Sequence, residues 1–212
     1  MTVSVLKSTL HLMASVLQGP VIVALLLCII VTIMQIGSIL VECFFERRHM
    51  KVDVPNLLNK MQGNDYEEIR NNITNSKLLV RYKEMLITLL DNRHLQLPQG
   101  QALASQLLSE QEIHCNKTLI ITDYLVRLAP MLGLMGTLIP LGPGLIALGQ
   151  GDIKGLASSL LVAFDSTIAG LAIAGVAYII SRWRKIWYEK DMAILETLTE
   201  GLLGGIYGER AS

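Results

Sequence analysis

Three long apolar stretches dominate the pattern of hydrophobic and polar positions along the chain. Residues 8–41 and 128–151 contain no Asp, Glu, Lys or Arg, and residues 155–181 contain only Asp165. About 20 apolar residues are enough to cross the hydrocarbon core of a bilayer. We therefore predict an all-α, polytopic membrane protein with transmembrane helices at 17–41, 126–149 and 155–181. The first stretch is too long for a signal peptide and lacks a small-residue cleavage site, so we expect it to be a retained span.

The charges between the spans predict the orientation of the chain. Basic residues follow the first span at Arg47, Arg48 and Lys51, and others follow the third span within 182–190, whereas the turn at 150–154 holds one acid and one base. The positive-inside rule therefore predicts the orientation of this multi-pass membrane protein. Residues 1–16 and the turn would lie outside, with 42–125 and 182–212 in the cytoplasm. The formal net charge is zero, which gives no basic footprint for nucleic acid.

Helical patterns continue outside the predicted spans. Residues 65–93 contain no Gly or Pro and have one apolar stripe, which predicts a single helix capped by Asn64-Asp65. After a break at 98–100, a helix is expected to run from Gln101 into the second span. The third span is expected to continue to about Glu200, and these extensions are predicted to pack with helix 65–93 as a cytoplasmic bundle. The glycines that follow predict a helix stop and a loose tail; they are Gly201, Gly204, Gly205 and Gly208.

Small residues and prolines distinguish the second and third spans from plain apolar helices. Gly133 and Gly136 in the second span, and the row Ser166, Gly170 and Ala174 in the third, predict faces where helix backbones approach closely. The prolines of the second span, where kinks are expected, are Pro130, Pro140 and Pro143. The carbonyls that prolines free are tolerated in lipid only where protein or water satisfies them. Kinked packing alone explains the prolines equally well.

Asp165 is the ionisable residue of the third span, and hydroxyls follow it at Ser166 and Thr167. A carboxylate at membrane depth is costly and normally faces a bundle interior or a wet path. Thr137 and Thr167 fall near the middle of two antiparallel spans, so their hydroxyls are expected at a similar depth. A single Thr more often bonds a carbonyl of its own preceding turn. Two beside a carboxylate favour a polar lining, and the predicted ion-path residues are Thr137, Asp165, Ser166 and Thr167.

Two short segments, one in the second span and one in the third, resemble the MotA/TolQ/ExbB proton channel family. They are Ala129–Thr137, which reads Ala-Pro-Met-Leu-Gly-Leu-Met-Gly-Thr, and Ser166–Leu171, which reads Ser-Thr-Ile-Ala-Gly-Leu. The resemblance covers about residues 118–190, and the three-span layout is similar to that of ExbB and TolQ. Members of those branches usually have an acidic residue five positions before the second Thr, where this chain has Val162.

The resemblance implies a location in a prokaryotic inner membrane, a fold, a partner and an activity. It implies a homopentamer whose second and third spans line a pore, and a single-span partner similar to ExbD, TolR or MotB with an intramembrane Asp. Thr137 and Thr167 would face that Asp, and the flow of H+ or Na+ past it would drive mechanical work, as in a stator. The alternative is a non-conducting membrane scaffold of the same fold.

Bond-making chemistry has no candidate residues in this sequence. We find no nucleophile–base arrangement, phosphate-binding loop or metal-ligand spacing, and the cysteines at 28, 43 and 115 suggest neither a disulfide framework nor a metal site. We therefore expect no enzymatic activity, and no cofactor beyond the transported H+ or Na+.

Overall fold

A computed structural model describes residues 2–47, 53–61 and 66–208 of the chain, with side chains described in 16–44, 53–61 and 66–208. The regular elements of these residues are all helical, as predicted. The helices are α1 (Thr2–Val41), α2 (Val54–Met61), α3 (Tyr66–Asn75), α4 (Val80–Asp91), α5 (Leu97–Gly149) and α6 (Ile153–Gly208). A π-helical segment, Glu42–Arg47, follows α1 directly.

Three helices are long and apolar enough to cross a membrane, which confirms the predicted number of candidate spans. These are Val16–Phe44, Leu97–Gly149 and Ile153–Tyr207. Both α5 and α6 also extend well beyond the apolar stretches predicted as their spans. The break predicted at 98–100 is wrong, because α5 begins at Leu97. Pro98 lies in the first turn of α5, where its missing N–H costs no intrahelical hydrogen bond.

A tight turn joins α5 to α6. Gly151 has φ +76°, a left-handed conformation that glycine adopts readily. The Gly151 N–H donates to the Leu148 carbonyl at 3.0 Å and the Asp152 N–H donates to the Ala147 carbonyl at 2.9 Å, which closes the end of α5. The Asp152 carboxylate then accepts the Gly155 N–H at 3.0 Å and caps the start of α6. The sequence therefore encodes a helix stop and a helix start within three residues.

The chain forms two compact units, each with its own packed interior. The span unit comprises Met1–Ser38 and Ile120–Arg182, and the core unit comprises Ile39–Leu119 and Trp183–Ser212. The buried apolar cluster of the span unit draws on α1, α5 and α6; its residues are Val21, Leu25, Leu125, Ala129, Ile173 and Ala177. Two of these six buried residues are alanines, so small side chains form part of this interior.

The core unit packs larger side chains from five helices. Leu57 and Met61 of α2, Ile69 and Ile73 of α3, and the apolar stripe of α4 meet Ala104 of α5 and three leucines of α6. The α4 stripe consists of Tyr82, Met85, Leu86, Leu89 and Leu90, and the α6 leucines are Leu195, Leu198 and Leu202. The amphipathic stripe read in the sequence thus faces the interior of this unit.

The single helix predicted over 65–93 is wrong, because the structure contains two helices there. Helix α3 ends at Asn75 and α4 begins at Val80. Both the N–H and the hydroxyl of Ser76 donate to the Ile73 carbonyl, at 3.2 and 2.5 Å, so a local turn replaces the helical ladder. The Asn64-Asp65 cap expected for this helix lies outside the described residues.

The loose tail predicted after Glu200 is also wrong, since α6 continues to Gly208. Leu202 is fully buried in the core unit, and a Cβ on Gly201 would lie 2.2 Å from Cδ2 of Leu58. The poor helix propensity of glycine is a weak preference that tertiary packing overrides. Packing of this segment, rather than its local sequence, keeps it helical.

Candidate functional site

The backbones of α5 and α6 come into contact at glycines in the middle of the span unit. A Cβ on Gly170 would lie 2.6 Å from the carbonyl oxygen of Ala129 and 3.0 Å from Cα of Gly133. A Cβ on Gly133 would in turn lie 3.1 Å from the carbonyl oxygen of Ser166. Side chains larger than hydrogen do not fit at such distances, so these glycines set the separation of the two helices.

Ser166 lies inside this helix contact. A Cβ on Gly136 would be 2.6 Å from Cβ of Ser166, and Ser166 is 9% exposed. Its hydroxyl donates to the Ala163 carbonyl at 2.8 Å. Ala174, the last member of the small-residue row, is half-buried and packs against the apolar cluster of the span unit. Within a single chain, Ser166 therefore acts as a packing residue, and its predicted part in an ion path stays a prediction.

The two threonines predicted as lining are half-buried, and each donates its proton within its own helix. The Thr137 hydroxyl donates to the Leu134 carbonyl at 2.6 Å, and the Thr167 hydroxyl donates to the Ala163 carbonyl at 3.3 Å. A hydroxyl has one donor proton and two acceptor lone pairs. Each oxygen thus keeps acceptor capacity for a cation or for the proton of a neutral carboxyl group.

Asp165 is exposed on the surface of the span unit, among large apolar side chains. Its neighbours in sequence Phe164 and Ile168 are 60% and 65% exposed, and Val162 is exposed as well. An ionised carboxylate on such a surface cannot face lipid at low cost. Asp165 therefore requires water or another polypeptide beside it.

The three prolines of the second span differ in their surroundings. Pro130 is half-buried, Pro140 is buried and Pro143 is exposed. All three lie within α5, which stays helical through Gly149. They therefore interrupt the hydrogen-bond ladder of α5 without ending the helix.

A polar link between α5 and α6 in the span unit was missed in the sequence. The Ser181 hydroxyl donates to the Asp123 carboxylate at 2.5 Å, across 58 residues of sequence. Neither residue belongs to a motif, and Asp123 precedes the apolar stretch of the second span. Only the antiparallel pairing of the two helices reveals this contact.

A buried ion pair in the core unit was missed as well. The Arg184 guanidinium, whose side chain is 1% exposed, donates to the Glu42 carboxylate at 3.0 Å. The Tyr188 hydroxyl donates to the other oxygen of the same carboxylate at 3.1 Å. Burial, and then the nearby negative charge of Glu42, raise the pKa of the Tyr188 phenol, so it stays protonated and remains a donor.

Metal chemistry finds no support in the part of the chain that the structure describes. The side chains of that part contain no group of three or more His, Cys, Asp or Glu residues that could hold a metal ion. Cys115 is buried in the core unit, and burial raises the pKa of its thiol. A thiol of this kind is a poor nucleophile.

The candidate site thus consists of two helices held close together by glycines, two threonine oxygens with acceptor capacity, and an exposed carboxylate in the apolar stretch of α6. A comparison with individual curated proteins gives no match for the chain. A family model matches residues 81–197, a range that starts in α4 and contains the whole α5–α6 helix pair of the span unit. On that match the chain belongs to the MotA/TolQ/ExbB proton channel family.

Proposed function

We propose that this protein is an ion-conducting, stator-like subunit that couples the flow of H+ or Na+ to mechanical work through a single-span partner. One observation carries the proposal beyond family membership. The contact of Gly133 with Gly170 holds the polar segment Asp165–Thr167 of α6 against the stretch of α5 that contains Thr137. Polar groups are thereby concentrated in the middle of two apolar helices.

Thr137, Thr167 and Asp165 form the lining in this proposal. Each threonine oxygen keeps lone pairs that accept a proton from a neutral carboxyl group or coordinate Na+. The principal carrier is an Asp on the span of the partner, which resembles ExbD, TolR or MotB. Asp165 shapes the polarity of the path, and Ser166 supports it from within the helix contact. Ion transport then needs no bond chemistry and no cofactor on this chain.

The assembly that completes the site is proposed to be a homopentamer around the partner. The exposure of Asp165 among apolar side chains supports neighbouring chains at this surface, because the carboxylate requires a polar environment. In this arrangement the protein spans a prokaryotic inner membrane, with its N-terminus outside and its C-terminus in the cytoplasm. The core unit then lies on the cytoplasmic side.

Ion flux in liposomes tests the proposal. The chain is reconstituted with the single-span protein that co-purifies with it, and H+ or Na+ entry is followed with a fluorescent indicator under an imposed gradient. We expect flux in the complex and a large loss with Thr167→Ala combined with Asp165→Asn. Ser158→Ala, which removes an exposed hydroxyl elsewhere on α6, is the matched control. Unchanged flux in the double variant would contradict the proposal.

A non-conducting scaffold remains the second candidate, and the intrahelical hydrogen bonds favour it. Thr137 and Thr167 both satisfy their donors within their own helices, as structural threonines do. In a scaffold, Asp165 would pair with a basic or amide group of a neighbour. Flux separates the two functions: a channel conducts ions and loses flux with Asp165→Leu, whereas a scaffold conducts none in either form.

The effects on flux of neutralising Asp165 and the Asp of the partner show which of the two carries the ion. Because the principal carrier is placed on the partner, Asp165→Asn should reduce flux less than Asp→Asn in the span of the partner. Both variants are measured in the same liposome assay at matched protein density. The reverse ranking would make Asp165 itself the carrier.

A further inference from the structure

We propose that a groove between α5 and α6 in the core unit binds a short basic, amphipathic segment at the cytoplasmic end of the single-span partner. The groove has a volume of about 760 Å³ and lies between residues 105–119 of α5 and 185–196 of α6. This proposal deepens the proposed function, since it rests on the partner and assigns it a docking surface. It concerns no residue of the candidate ion path.

The negative charge of the groove indicates that its occupant is positively charged. Glu112, Glu189 and Glu196 line it and are exposed, and Lys185 is the only basic side chain among the lining residues. None of the three carboxylates forms an ion pair with any residue that the structure describes. The groove therefore attracts cations and disfavours an acidic or neutral segment.

The floor of the groove is apolar and adaptable. Leu108 and Leu119 of α5 and Met192 of α6 are half-buried beneath the acidic rim. Methionine adjusts its shape readily and is common at surfaces that receive helical or extended peptides. An occupant that fits has lysine or arginine on one side and aliphatic side chains on the other.

The length of the groove limits the occupant to a short segment. From Ser105 to Leu119, α5 advances fourteen residues, which is about 21 Å along a helix. That distance accommodates about six extended residues, at roughly 3.3 Å each. A folded domain does not match these dimensions, whereas a flanking segment of a transmembrane helix does.

The partner is expected to have such a segment next to its span. The cytoplasmic flank of a membrane span carries an excess of lysine and arginine, because of the positive-inside rule. A single-span partner therefore presents basic residues on the side of the membrane where the core unit is proposed to lie. The groove would hold that flank and so restrain the partner relative to this chain.

Peptide binding to the full-length chain tests this docking site. The probe is a fluorescein-labelled peptide of alternating lysine and leucine, with a glutamate–leucine peptide as its charge-reversed control. Binding is measured by fluorescence anisotropy on the protein in nanodiscs of neutral phosphatidylcholine, which removes attraction to anionic lipid. We expect the lysine peptide to bind, its affinity to fall as salt is raised, and the glutamate peptide not to bind.

Matched variants separate the groove from overall charge. Glu112→Gln, Glu189→Gln and Glu196→Gln together should weaken binding by about tenfold, because several partly exposed charge pairs are lost at once. Glu68→Gln, Glu84→Gln and Glu110→Gln remove the same charge from exposed positions outside the groove and should leave binding unchanged. Ser109→Trp fills the groove without changing any charge and should also weaken binding.

Three results would overturn the docking site. They are no binding of the lysine peptide, equal loss in both glutamine triple variants, and a change in the mass of the assembly in the groove variant, which would identify a second copy of this chain as the occupant. The peptide assay requires neither ion flow nor the partner. Flux without peptide binding therefore refutes only the docking site, and peptide binding without flux refutes only the proposed channel.

Discussion

The span unit and the core unit are built from the same long helices, yet they fill their interiors with different residues. At the helix contact of the span unit the buried positions are Gly133, Gly136, Ser166 and Gly170. In the core unit the buried positions are mostly leucine, isoleucine and methionine. The outer surface of the span unit is apolar, with large side chains such as Leu134, more than half exposed.

This difference fits the proposal that lipid surrounds the span unit and water surrounds the core unit. In water, burying a large aliphatic side chain is favourable by about 1.5–3 kcal/mol, which drives the packing of the core unit. Between helices in lipid that driving force is absent, so close van der Waals contact of small residues takes its place. Substitutions should therefore destabilise the core unit when they leave a buried group unpaired or a cavity empty. They should destabilise the span unit when they add atoms at the helix contact.

The largest effect is expected at the buried ion pair of the core unit. Arg184→Met leaves the Glu42 carboxylate without its cation and should cost about 3–5 kcal/mol of unfolding free energy. Chemical denaturation in detergent, followed by tryptophan fluorescence, measures this, because both tryptophans, Trp183 and Trp187, lie beside Arg184. Combining Arg184→Met with Glu42→Leu should recover much of the loss. A cost of Arg184→Met below about 1 kcal/mol, the range of exposed pairs, would contradict a buried ion pair at this position.

A cavity in the apolar core should have the next largest effect. Leu198 is fully buried among the leucines of α6, and Leu198→Ala should cost about 2–5 kcal/mol. Val80→Ala is the matched control, since Val80 is 71% exposed on α4 and its loss should change stability little. The same denaturation assay applies. Similar effects of the two substitutions would contradict a hydrophobic core in this unit.

The span unit should respond to added atoms instead. Gly170→Ala places a methyl group 2.6 Å from the Ala129 carbonyl oxygen, a backbone atom that cannot rotate away, and should cost about 1–3 kcal/mol. Gly175→Ala is the control in the same helix, because no heavy atom lies within 4 Å of its added Cβ. Alanine is the better helix former by about 1 kcal/mol. If Gly170→Ala stabilises the protein as Gly175→Ala should, the helices are not in backbone contact.

The sequence alone predicts the number of candidate spans and the helix contact of the span unit, because their signals are local. An apolar stretch reports a membrane span directly, and a row of small residues reports a helix contact, since both follow from one helix and its solvent. The turn at Gly151-Asp152 is equally local. Arg184, the second residue of the core unit in α6, is harder to predict. It follows the buried Ile180 by four residues, a spacing typical of one helix face, but the positive-inside rule treats it only as a surface charge.

The core unit is less predictable, because its decisive contacts join distant parts of the chain. Arg184 and Glu42 are 142 residues apart, and neither carries a motif that points to the other. Ser76 ends α3 through a turn that helical periodicity alone does not reveal. The glycines after Glu200 are a third example, because their local preference predicts a loose tail, whereas α6 continues to Gly208 with Gly201 against Leu58 of α2 and Leu202 buried.

The smallest effect on stability is expected at one of those glycines, Gly201. An added Cβ meets a side chain there, whereas at Gly170 it meets a backbone. A Cβ on Gly201 would lie 2.2 Å from Cδ2 of Leu58, and the next nearest atom, Cγ of the same residue, is 3.7 Å away. The obstacle is thus the end of a half-buried flexible side chain rather than a backbone. Rotation of Leu58 costs roughly 0.5–1.5 kcal/mol, and the better helix propensity of alanine returns about 1 kcal/mol.

Gly201→Ala should therefore change the unfolding free energy by less than about 1 kcal/mol, well below the cost of Gly170→Ala. Leu58→Ala removes the obstacle, so Gly201→Ala made in that background should be stabilising by up to about 1 kcal/mol. The four proteins of this double-mutant cycle are compared by denaturation in the same detergent. A cost at Gly201 as large as that at Gly170, or one that persists without Leu58, would mean that α2 and α6 are also held at backbone distance. The contrast between a side-chain core and a backbone-packed span pair would then fail.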